Sequence, residues 1–501
     1  MKKLFCATFE GLEAKVVSVE ATLTKGLPSF NIVGMASQSI SESKERVKSA
    51  LLSNDFSFPP KRITINLSPS DLKKEGSQFD LGIALLIALN HEELKLDAYM
   101  VFGELGLDGS VKENALLFAL ILSLANQGCI EKAIVPFESL KKLSNIPNVS
   151  FFGVKHLNDA MTLLKEGEEG FTCKAATINH PSLHVKNAPY YFQDVYPFDF
   201  SEIRGQEIAK RAALISASGM HNLLLEGSPG SGKSMIAKRL RYILPPVSSQ
   251  ELLDIAKLES FDGREPEFTP LRPFRAPHHS STAASIFGGG SHQAKIGEVG
   301  LAHKGILFFD ELPHFSKTVL EALREPLEDR HIRISRVNSK IEYATDFLFV
   351  SAMNPCPCGN LLHSQLECRC SDLEVQRYKN RLSDPFLDRI DLYVQMQNVS
   401  PQDRSSVDSK SLHVRVKEAY TQQLQRGQKS LNGALEDSDI ERFCHLNNET
   451  QAVLDQAISR FSLSFRSIKK IQKIARTIAD IEQSDTITKT HLLEALSYRR
   501  R

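Results

Sequence analysis

The sequence predicts an α/β multidomain protein, and three patterns along the chain support that prediction. Short strand-like and helical runs alternate over the first third, where Arg62–Leu67 alternates polar and apolar side chains with period two. In the middle third a strand, a glycine-rich loop and a helix follow one another, as in a doubly wound parallel sheet. From about residue 405 to residue 501 the pattern is helical almost throughout.

The 501 residues suggest about three domains at roughly 150 residues each. We expect an α/β domain at 1–168, a linker at 169–197, a nucleotide-binding core at 198–402 and a helical domain at 403–501. The linker prediction depends on three prolines among many polar residues, a composition typical of loops.

Basic and acidic side chains nearly balance, with 61 lysines and arginines against 60 acidic residues and a net charge of +1. This balance excludes a protein whose whole surface is basic, so any nucleic-acid contact must come from local patches. The apolar runs are far shorter than the ~20 residues of a membrane-spanning helix, and no secretory signal is evident. We therefore expect a cytoplasmic protein with no membrane partner and with reduced cysteines.

A phosphate-binding loop follows the predicted strand Asn222–Glu226. Its spacing fits G-x-x-x-x-G-K-[ST], with the preceding strand and following helix that this loop requires. Backbone N–H groups and the helix N-terminus suit phosphate oxygens, the lysine suits the β- and γ-phosphates, and the last serine suits Mg²⁺. We predict that ATP and Mg²⁺ bind here, held by Gly227, Ser228, Pro229, Gly230, Ser231, Gly232, Lys233 and Ser234.

Two further predicted strands end in polar residues suited to the same site. Gly305–Phe309 is followed by Asp310 and Glu311, which places carboxylates where open α/β sheets bind ligands. We expect Asp310 to hold Mg²⁺ and Glu311 to act as general base on the attacking water. The strand Phe347–Met353 ends at Asn354, which we expect to orient that water, although an isolated asparagine there is more typical of a turn.

The order of these motifs resembles that of AAA+ ATPases. Leu382–Leu392 is similar to the arginine-finger segment of the magnesium-chelatase and MCM branch. Arg272–His279 and Met353–Gly359 resemble segments of the magnesium-chelatase-like YifB/ComM family, bacterial proteins linked to natural transformation. The resemblance covers nearly the whole chain. It implies an AAA+ doubly wound parallel sheet with a P-loop, an α-helical C-terminal lid, and the activity of a hexameric, ATP-driven branch-migration helicase.

The family pattern gives roles to two arginines. Arg389 resembles the arginine finger, which enters a neighbouring subunit's site and stabilises charge on the transferred phosphoryl group. A finger that acts on a neighbour implies a ring, and the family resemblance implies that this ring is a homo-hexamer. The alternative for Arg389 is a salt bridge to Asp388 or Asp391. Arg466, in the predicted helix Phe465–Ile481, resembles the sensor-2 arginine that helps bind nucleotide, with a solvated helix residue as the alternative.

The N-terminal domain resembles the proteolytic domain of Lon through Lys74–Asp80 and Gly103–Gly109. A Lon protease uses a serine that a lysine activates. Gln78 stands where the resemblance places the serine, and Phe118 stands near the lysine position. We therefore expect a Lon-protease-like α/β N-terminal domain without protease activity, retained as a platform for ring assembly or DNA.

Four of the eight cysteines fall within fifteen residues, as two C-x-C pairs. Four thiolates satisfy tetrahedral Zn²⁺ and leave no open coordination position for catalysis. We predict a structural zinc site in an insertion at 356–370, with free thiols or a redox pair as the alternative. The predicted ligands are Cys356, Cys358, Cys368 and Cys370.

The resemblance places two insertions in the pore of a ring, one near Ile286–Gly300 and one in a predicted hairpin near Ile332–Ile341. We expect Lys295, Arg336 and Lys340 to bind DNA phosphates without reading sequence, with solvated strand residues as the alternative. The expected partners are single-stranded DNA, branched or double-stranded DNA, and DNA coated with a recombinase.

Together these assignments predict a ring-forming, ATP-driven DNA helicase that promotes branch migration during homologous recombination in natural transformation. Three other classes compete with it. An ATP-dependent Lon-like protease or unfoldase would need the serine–lysine pair. A magnesium-chelatase-type motor subunit is not expected to carry this N-terminal domain or four cysteines. A DNA-binding platform without motor activity would not need Glu311 and Arg389.

Overall fold

The computed structural model describes residues 2–92, 94, 96–172, 178–289, 295–335, 340–363, 365–400 and 402–500. The chain divides into two compact units. The first comprises Met1–Asn179, Ala256–Phe268 and Arg336–Ile341, and the second comprises His180–Ile255, Thr269–Ser335 and Glu342–Arg501. Among the described residues, no helix is both long enough and apolar enough to cross a membrane.

The N-terminal part of the first unit contains nine strands and five α-helices among its described residues. The strands are β1 (Lys2–Glu10), β2 (Glu13–Thr24), β3 (Ser29–Val33), β4 (Arg62–Ser68), β5 (Met100–Val101), β6 (Glu104–Leu105), β7 (Val111–Lys112), β8 (Lys132–Pro136) and β9 (Ser150–Val154). The helices are α1 (Gln38–Leu52), α2 (Asp80–Ala88), α3 (Leu117–Asn126), α4 (Leu140–Leu143) and α5 (Leu157–Glu166).

Seven of these strands form one mixed sheet in the order β3-β4-β2-β1-β5-β8-β9. The pairs β1–β2 and β2–β4 are antiparallel, and the other neighbours run parallel. β4 is the strand predicted from period-two alternation, and Ile63, Ile65 and Leu67 on one of its faces are fully buried. Because one face must be covered by apolar side chains, this alternation determines which way the strand faces.

The positions to which the Lon resemblance assigns a catalytic dyad are packed in the interior of the first unit. Gln78 is 6% exposed, and its amide donates hydrogen bonds to two backbone carbonyls at 3.1 and 2.9 Å. Phe118 is fully buried, and its ring meets the ring of Phe268 edge-on with 5.3 Å between centroids. Phe268 reaches this unit from far along the chain.

A buried ion pair joins α1 to α2 in the first unit. Asp80 is fully buried, and Arg46 donates to its two carboxylate oxygens at 2.6 and 3.2 Å. Burial raises the pKa of the Asp80 carboxyl, and the hydrogen bond from Arg46 opposes that rise. A carboxylate in this position needs its partner, because a buried charge without one is costly.

We expect Arg46→Met to destabilise the first unit by about 3–5 kcal/mol at neutral pH, since it leaves the Asp80 carboxylate unpaired. In the variant the folded state holds the Asp80 proton more tightly than the unfolded state does. The stability difference from the parent should therefore shrink as the pH falls through the raised pKa. Hydrogen exchange of the α2 amides measures this. Lys48→Met, an exposed cation on the same helix, is the control, and equal effects of the two changes would contradict the prediction.

The remaining elements follow in chain order. The strands are β10 (Ser182–Val185), β11 (Ala188–Tyr191), β12 (Leu223–Glu226), β13 (Val247–Ser248), β14 (Phe274–Arg275), β15 (Gly288–Gly289), β16 (Lys295–Ile296), β17 (Ile306–Phe309), β18 (His331–Ser335), β19 (Lys340–Ala344), β20 (Leu348–Met353) and β21 (Leu392–Gln395). The helices are α6 (Glu207–Gly219), α7 (Lys233–Leu240), α8 (Ser249–Phe261), α9 (Ala283–Phe287), α10 (Glu298–Leu301), α11 (Lys317–Ala322), α12 (Arg324–Asp329), α13 (Asp372–Lys379), α14 (Asp384–Leu387), α15 (Ser409–Gln425), α16 (Asp437–Phe443), α17 (Asn448–Phe461), α18 (Phe465–Ile481) and α19 (Lys489–Ser497).

The second unit is built on a five-stranded sheet with the order β14-β17-β20-β12-β21, and all four neighbouring pairs are parallel. Every residue of β12, β17 and β20 is buried, as expected for a parallel sheet covered on both faces. One apolar cluster joins a face of this sheet to the C-terminal helices, including α15 and α18. The predicted mixed α/β architecture with a parallel sheet is confirmed, and α18 has its predicted bounds.

The segment predicted as a linker contains regular structure. β10 and β11 form a hairpin, and β11 also pairs with β13. Lys186 and Asn187 connect the two strands with φ angles of +50° and +65°. A two-residue turn in which both φ angles are positive matches the twist of a β-hairpin. Lys186 and Asn187 are therefore the sequence signal for this hairpin, although the prolines of the segment favour a loop prediction.

Candidate nucleotide and metal sites

The predicted phosphate loop connects β12 to α7 at the carboxyl edge of the parallel sheet. Gly230 and Gly232 have φ angles of +77° and +95°, which glycine adopts without the steric cost of a side chain. The hydroxyls of Ser228 and Ser231 are buried and lack a hydrogen-bond partner among the described residues. A bound phosphate would satisfy such groups, and the N-terminus of α7 adds a favourable field for an anion.

Lys233 lies within this loop and contacts a second predicted site residue. Its side chain is 9% exposed, and Nζ donates to the carbonyls of Gly227 and Ser228 at 2.6 and 3.0 Å. The same atom lies 3.2 Å from Oδ1 of Asn354, the residue that follows β20. Burial lowers the pKa of the Lys233 amine, and the nearby Asp310 carboxylate opposes that shift. The structure therefore brings Lys233 and Asn354 together across two neighbouring strands.

The two predicted Mg²⁺ ligands also lie together. Ser234 Oγ donates to Asp310 Oδ2 at 2.7 Å. Adjacent oxygen ligands of an octahedral Mg²⁺ stand about 2.9 Å apart, because each Mg–O bond is about 2.0–2.1 Å long. The hydroxyl and the carboxylate are thus already spaced to share one ion.

Glu311 has a partner that the sequence patterns did not identify. Its carboxylate is half-exposed, and Oε2 lies 3.5 Å from Nδ1 of His279. The ring of His279 contacts that of His278, with centroids 4.1 Å apart and the ring planes tilted by 35°. His279 comes four residues after the end of β14, which runs parallel to β17 and ends at the same edge of the sheet. The position of His279 after a strand could have predicted this contact, because residues that follow parallel strands converge at one edge of the sheet.

Arg389 and Arg466 lie at the opposite edge of the sheet. The side-chain amide of Asn222, just before β12, donates to the Arg389 carbonyl at 2.9 Å. The phosphate loop begins at the other end of β12, about 13 Å away at roughly 3.3 Å per residue. The guanidinium groups of Arg389 and Arg466 both contact the Glu328 carboxylate, that of Arg466 at 3.1 Å. The acidic partner of Arg389 thus comes from α12 rather than from the adjacent aspartates.

The four clustered cysteines form a site that can hold a metal ion. Their sulfur atoms all lie within 4.8 Å of one another, and three of the pairs are separated by 3.4, 3.7 and 3.6 Å. Four sulfurs around a tetrahedral ion stand about 3.8 Å apart when each metal–sulfur bond is about 2.3 Å. Backbone N–H groups of Asn360 and Arg369 donate to the Cys358 sulfur and lower the pKa of that thiol to about 6. A backbone hydrogen bond opposes the shift at Cys368 and Cys370, but desolvation and the neighbouring sulfurs raise the pKa of these two thiols. The geometry of the four sulfur atoms is therefore what favours a metal site.

The predicted DNA contacts are only partly described. Arg336 lies outside the described residues. Lys295 and Lys340 begin β16 and β19, and their side chains are likewise outside the described part of the chain. The pairs β15–β16 and β18–β19 each form a two-stranded sheet.

Known proteins match almost the whole chain. Family models described as "Subunit ChlI of Mg-chelatase", "Magnesium chelatase, subunit ChlI" and "Magnesium chelatase, subunit ChlI C-terminal" match residues 19–139, 199–404 and 406–499. The uncharacterized protein YifB of Salmonella typhimurium is 38% identical over 499 residues, 98% of this chain and 95% of its own. The competence protein ComM of Haemophilus influenzae is 37% identical over 502 residues, with the same two coverages. The YifB protein of Escherichia coli is 38% identical over 499 residues, again with these coverages.

The chain belongs to the magnesium-chelatase-like YifB/ComM family. The resemblance drawn from Arg272–His279 and Met353–Gly359 is therefore confirmed. Membership identifies the parallel sheet of the second unit as the AAA+-like domain of this family, the type of domain that uses ATP to drive a motor.

We expect this YifB/ComM-family protein, purified under reducing conditions, to contain one thiolate-bound metal ion per chain. Cys358→Ser should lower that content, because a hydroxyl is a poor substitute for a thiolate ligand of a soft ion. Elemental analysis measures the stoichiometry. Cys129→Ser, an exposed cysteine outside the cluster, should leave it unchanged. Purified protein without metal would contradict the prediction.

Proposed function

We propose that this protein is a ring-forming, ATP-driven DNA motor that promotes branch migration during homologous recombination in natural transformation. The observation that carries the motor proposal is the separation of Arg389 from the phosphate loop of its own chain. The two lie at opposite edges of one parallel sheet. In a closed ring of head-to-tail contacts, the Arg389 edge of each copy meets the phosphate-loop edge of the next. A homo-hexamer is the assembly that the family resemblance implies.

ATP would bind to the loop Gly227–Ser234, with its phosphates on the backbone N–H groups and Lys233 on the β- and γ-phosphates. Mg²⁺, held by Ser234 and Asp310, would neutralise charge on the phosphate oxygens. Glu311 would accept a proton from the attacking water, and Asn354 would orient that water. The contact between Lys233 and Asn354 supports this assignment, because it joins the phosphate-binding amine to the water-orienting amide in one chain.

Arg389 would enter the neighbouring subunit's site, and Arg466 would enter it together with Arg389. Their shared contact with Glu328 supports a joint role, since both guanidinium groups already point to one carboxylate. A γ-phosphate is also an oxygen-rich anion, so it can replace Glu328 as the partner of both arginines when subunits assemble.

Zn²⁺ is the ion we assign to the four cysteines. Its preference for four thiolates in a tetrahedron fits the sulfur separations, and a site with four protein ligands is structural.

DNA would pass through the ring and be gripped by Lys295, Arg336 and Lys340 through phosphate contacts. The likeness to competence protein ComM over the full chain supports a role in competence. The substrates would be single-stranded, double-stranded and branched DNA, including recombinase-coated DNA, in the cytoplasm. We assign the first unit a Lon-like fold and a platform role without proteolysis, which the buried Gln78 and Phe118 support. The C-terminal helices would form the lid.

We expect ATP hydrolysis that DNA stimulates. Glu311→Gln should slow hydrolysis by about 10²–10⁴-fold while leaving ATP bound, because it removes the general base. Lys233→Ala should instead weaken ATP binding, because the phosphates lose a cation. Steady-state phosphate release and nucleotide binding separate the two effects. Lys238→Ala, an exposed lysine on the same helix α7, is the matched control. If none of the DNA substrates stimulates ATP hydrolysis, the DNA-motor proposal is wrong.

Mixing variants tests whether Arg389 acts on a neighbour. Arg389→Ala alone should lower the hydrolysis rate by about 10³-fold or more, as for other arginine fingers. Lys233→Ala alone should also be inactive. In an equal mixture, an intact site forms wherever the first variant receives a finger from the second. About a quarter of the interfaces in a randomly mixed ring then recover. A mixture with no more activity than its components would show that the finger acts within its own chain.

We expect the protein to convert a synthetic four-way junction faster than it separates a plain duplex, because branch migration exchanges base pairs at little net cost. Gel separation of the strands measures both rates. Equal rates on junction and duplex would contradict the branch-migration role and leave a general helicase.

Replacing Lys295, Arg336 and Lys340 with alanine should weaken DNA binding and reduce the dependence of the binding constant on salt concentration.

A further inference from the structure

The segment that carries the four cysteines contacts the phosphate loop through Gly359. We call residues 356–370 the thiolate loop. Gly359 within it has φ +81°, and a Cβ atom added there would stand 2.6 Å from Cδ and 2.7 Å from Cγ of Pro229. Real Cβ atoms do not approach so closely, so only glycine permits this contact. Pro229 is the third residue of the phosphate loop, and the backbone at Gly359 therefore supports that loop from one side.

Helix α13 makes a second connection, to Asn354. The helix begins at Asp372, just after the last cysteine of the thiolate loop, and the side chain of Ser371 caps it. Near its other end, burial raises the pKa of the Tyr378 phenol to about 12, and the adjacent backbone of Asn354 opposes that rise. Tyr378 is also buried, so its position is determined by packing. A shift at the start of α13 would be transmitted through this rigid helix to the backbone of Asn354.

The last residue of α13 makes a third connection, to the strand before the phosphate loop. Lys379 Nζ lies 3.2 Å from Oε1 of Glu226, which is fully buried and ends β12. The Tyr393 hydroxyl and the Gln395 amide donate to the other carboxylate oxygen of Glu226, the amide at 3.2 Å. A buried carboxylate held by a lysine and two neutral donors has one favourable position. Lys379 thereby helps fix the residue directly before Gly227.

We propose that metal binding at the four cysteines positions the phosphate loop and Asn354 through these three connections, so that metal occupancy sets the affinity for nucleotide. The proposal rests on the phosphate loop being the nucleotide site, as proposed above. Four metal–sulfur bonds would close the thiolate loop and limit its conformations. Without these metal–sulfur bonds, Gly359 and the start of α13 are less constrained. The phosphate loop that Gly359 contacts then loses its preorganised shape.

Nucleotide binding to metal-loaded and metal-free full-length protein tests the proposal. The metal is removed with a chelator, and the Kd of a fluorescent ADP analogue is measured in buffer without Mg²⁺, so that chelation of Mg²⁺ has no part in the result. We expect about tenfold weaker binding or more in the metal-free protein, the scale of effect that small misplacements produce. Faster hydrogen exchange of the amides in 227–234 and recovery of both properties on adding Zn²⁺ are expected as well.

A variant that keeps all four thiols separates positioning from loss of folding. Gly359→Ala inserts the Cβ that would clash with Pro229. We expect it to retain its metal by elemental analysis and to bind the ADP analogue more weakly than the parent. Gly427→Ala is the matched control, since Gly427 has φ +86° and its nearest side-chain atom would be 3.8 Å from an added Cβ. It should match the parent in both measurements.

Equal Kd values for metal-loaded and metal-free protein would overturn the proposal, and so would a Gly359→Ala variant with normal metal content and normal affinity. Metal-loaded parent protein that does not bind the ADP analogue at all would instead overturn the nucleotide site, and this proposal with it. The two failures are therefore distinguishable in one set of measurements.

Discussion

All five strands of the central sheet run in the same direction, and the arrangement of the candidate site depends on that constraint. Residues that follow a strand collect at the carboxyl edge, where Lys233 meets Asn354 although 121 positions separate them in the chain. Ser234 and Asp310 meet at the same edge for the same reason. Arg389 comes before its strand, β21, and so it lies at the amino edge. The proposed division of one catalytic site between two copies of the chain follows from this geometry.

Burial has a second consequence in both units, because a charge in the interior needs a partner. Glu226 in the second unit and Asp80 in the first are both fully buried, and each carboxylate is held by a basic side chain and further donors. Such pairs add little net stability, since desolvation offsets much of the attraction. They do fix geometry, because breaking one leaves an uncompensated charge. In this chain Glu226 immediately precedes the phosphate loop, so the pair fixes the backbone where that loop begins.

Features that depend on neighbouring residues could be predicted from the sequence. The spacing of the phosphate loop, the apolar run before Asp310 and the two C-x-C pairs are local, because each reflects a backbone conformation or ligand set made by nearby residues. The hairpin at β10 and β11 is also local, but its signal is two residues, Lys186 and Asn187, within a proline-containing segment. Contacts between distant segments, such as Glu311 with His279, required the order of strands in the sheet.

The sequence by itself determined the α/β class and the family, and it predicted the residues of the candidate site, because periodicity and motif spacing are properties of short segments. Only the tertiary structure decided that Arg389 and Arg466 share Glu328, and that Gly359 packs on Pro229. These contacts join elements whose distance depends on how strands and helices pack. Packing is cooperative over the whole unit, and no single segment of the sequence specifies it.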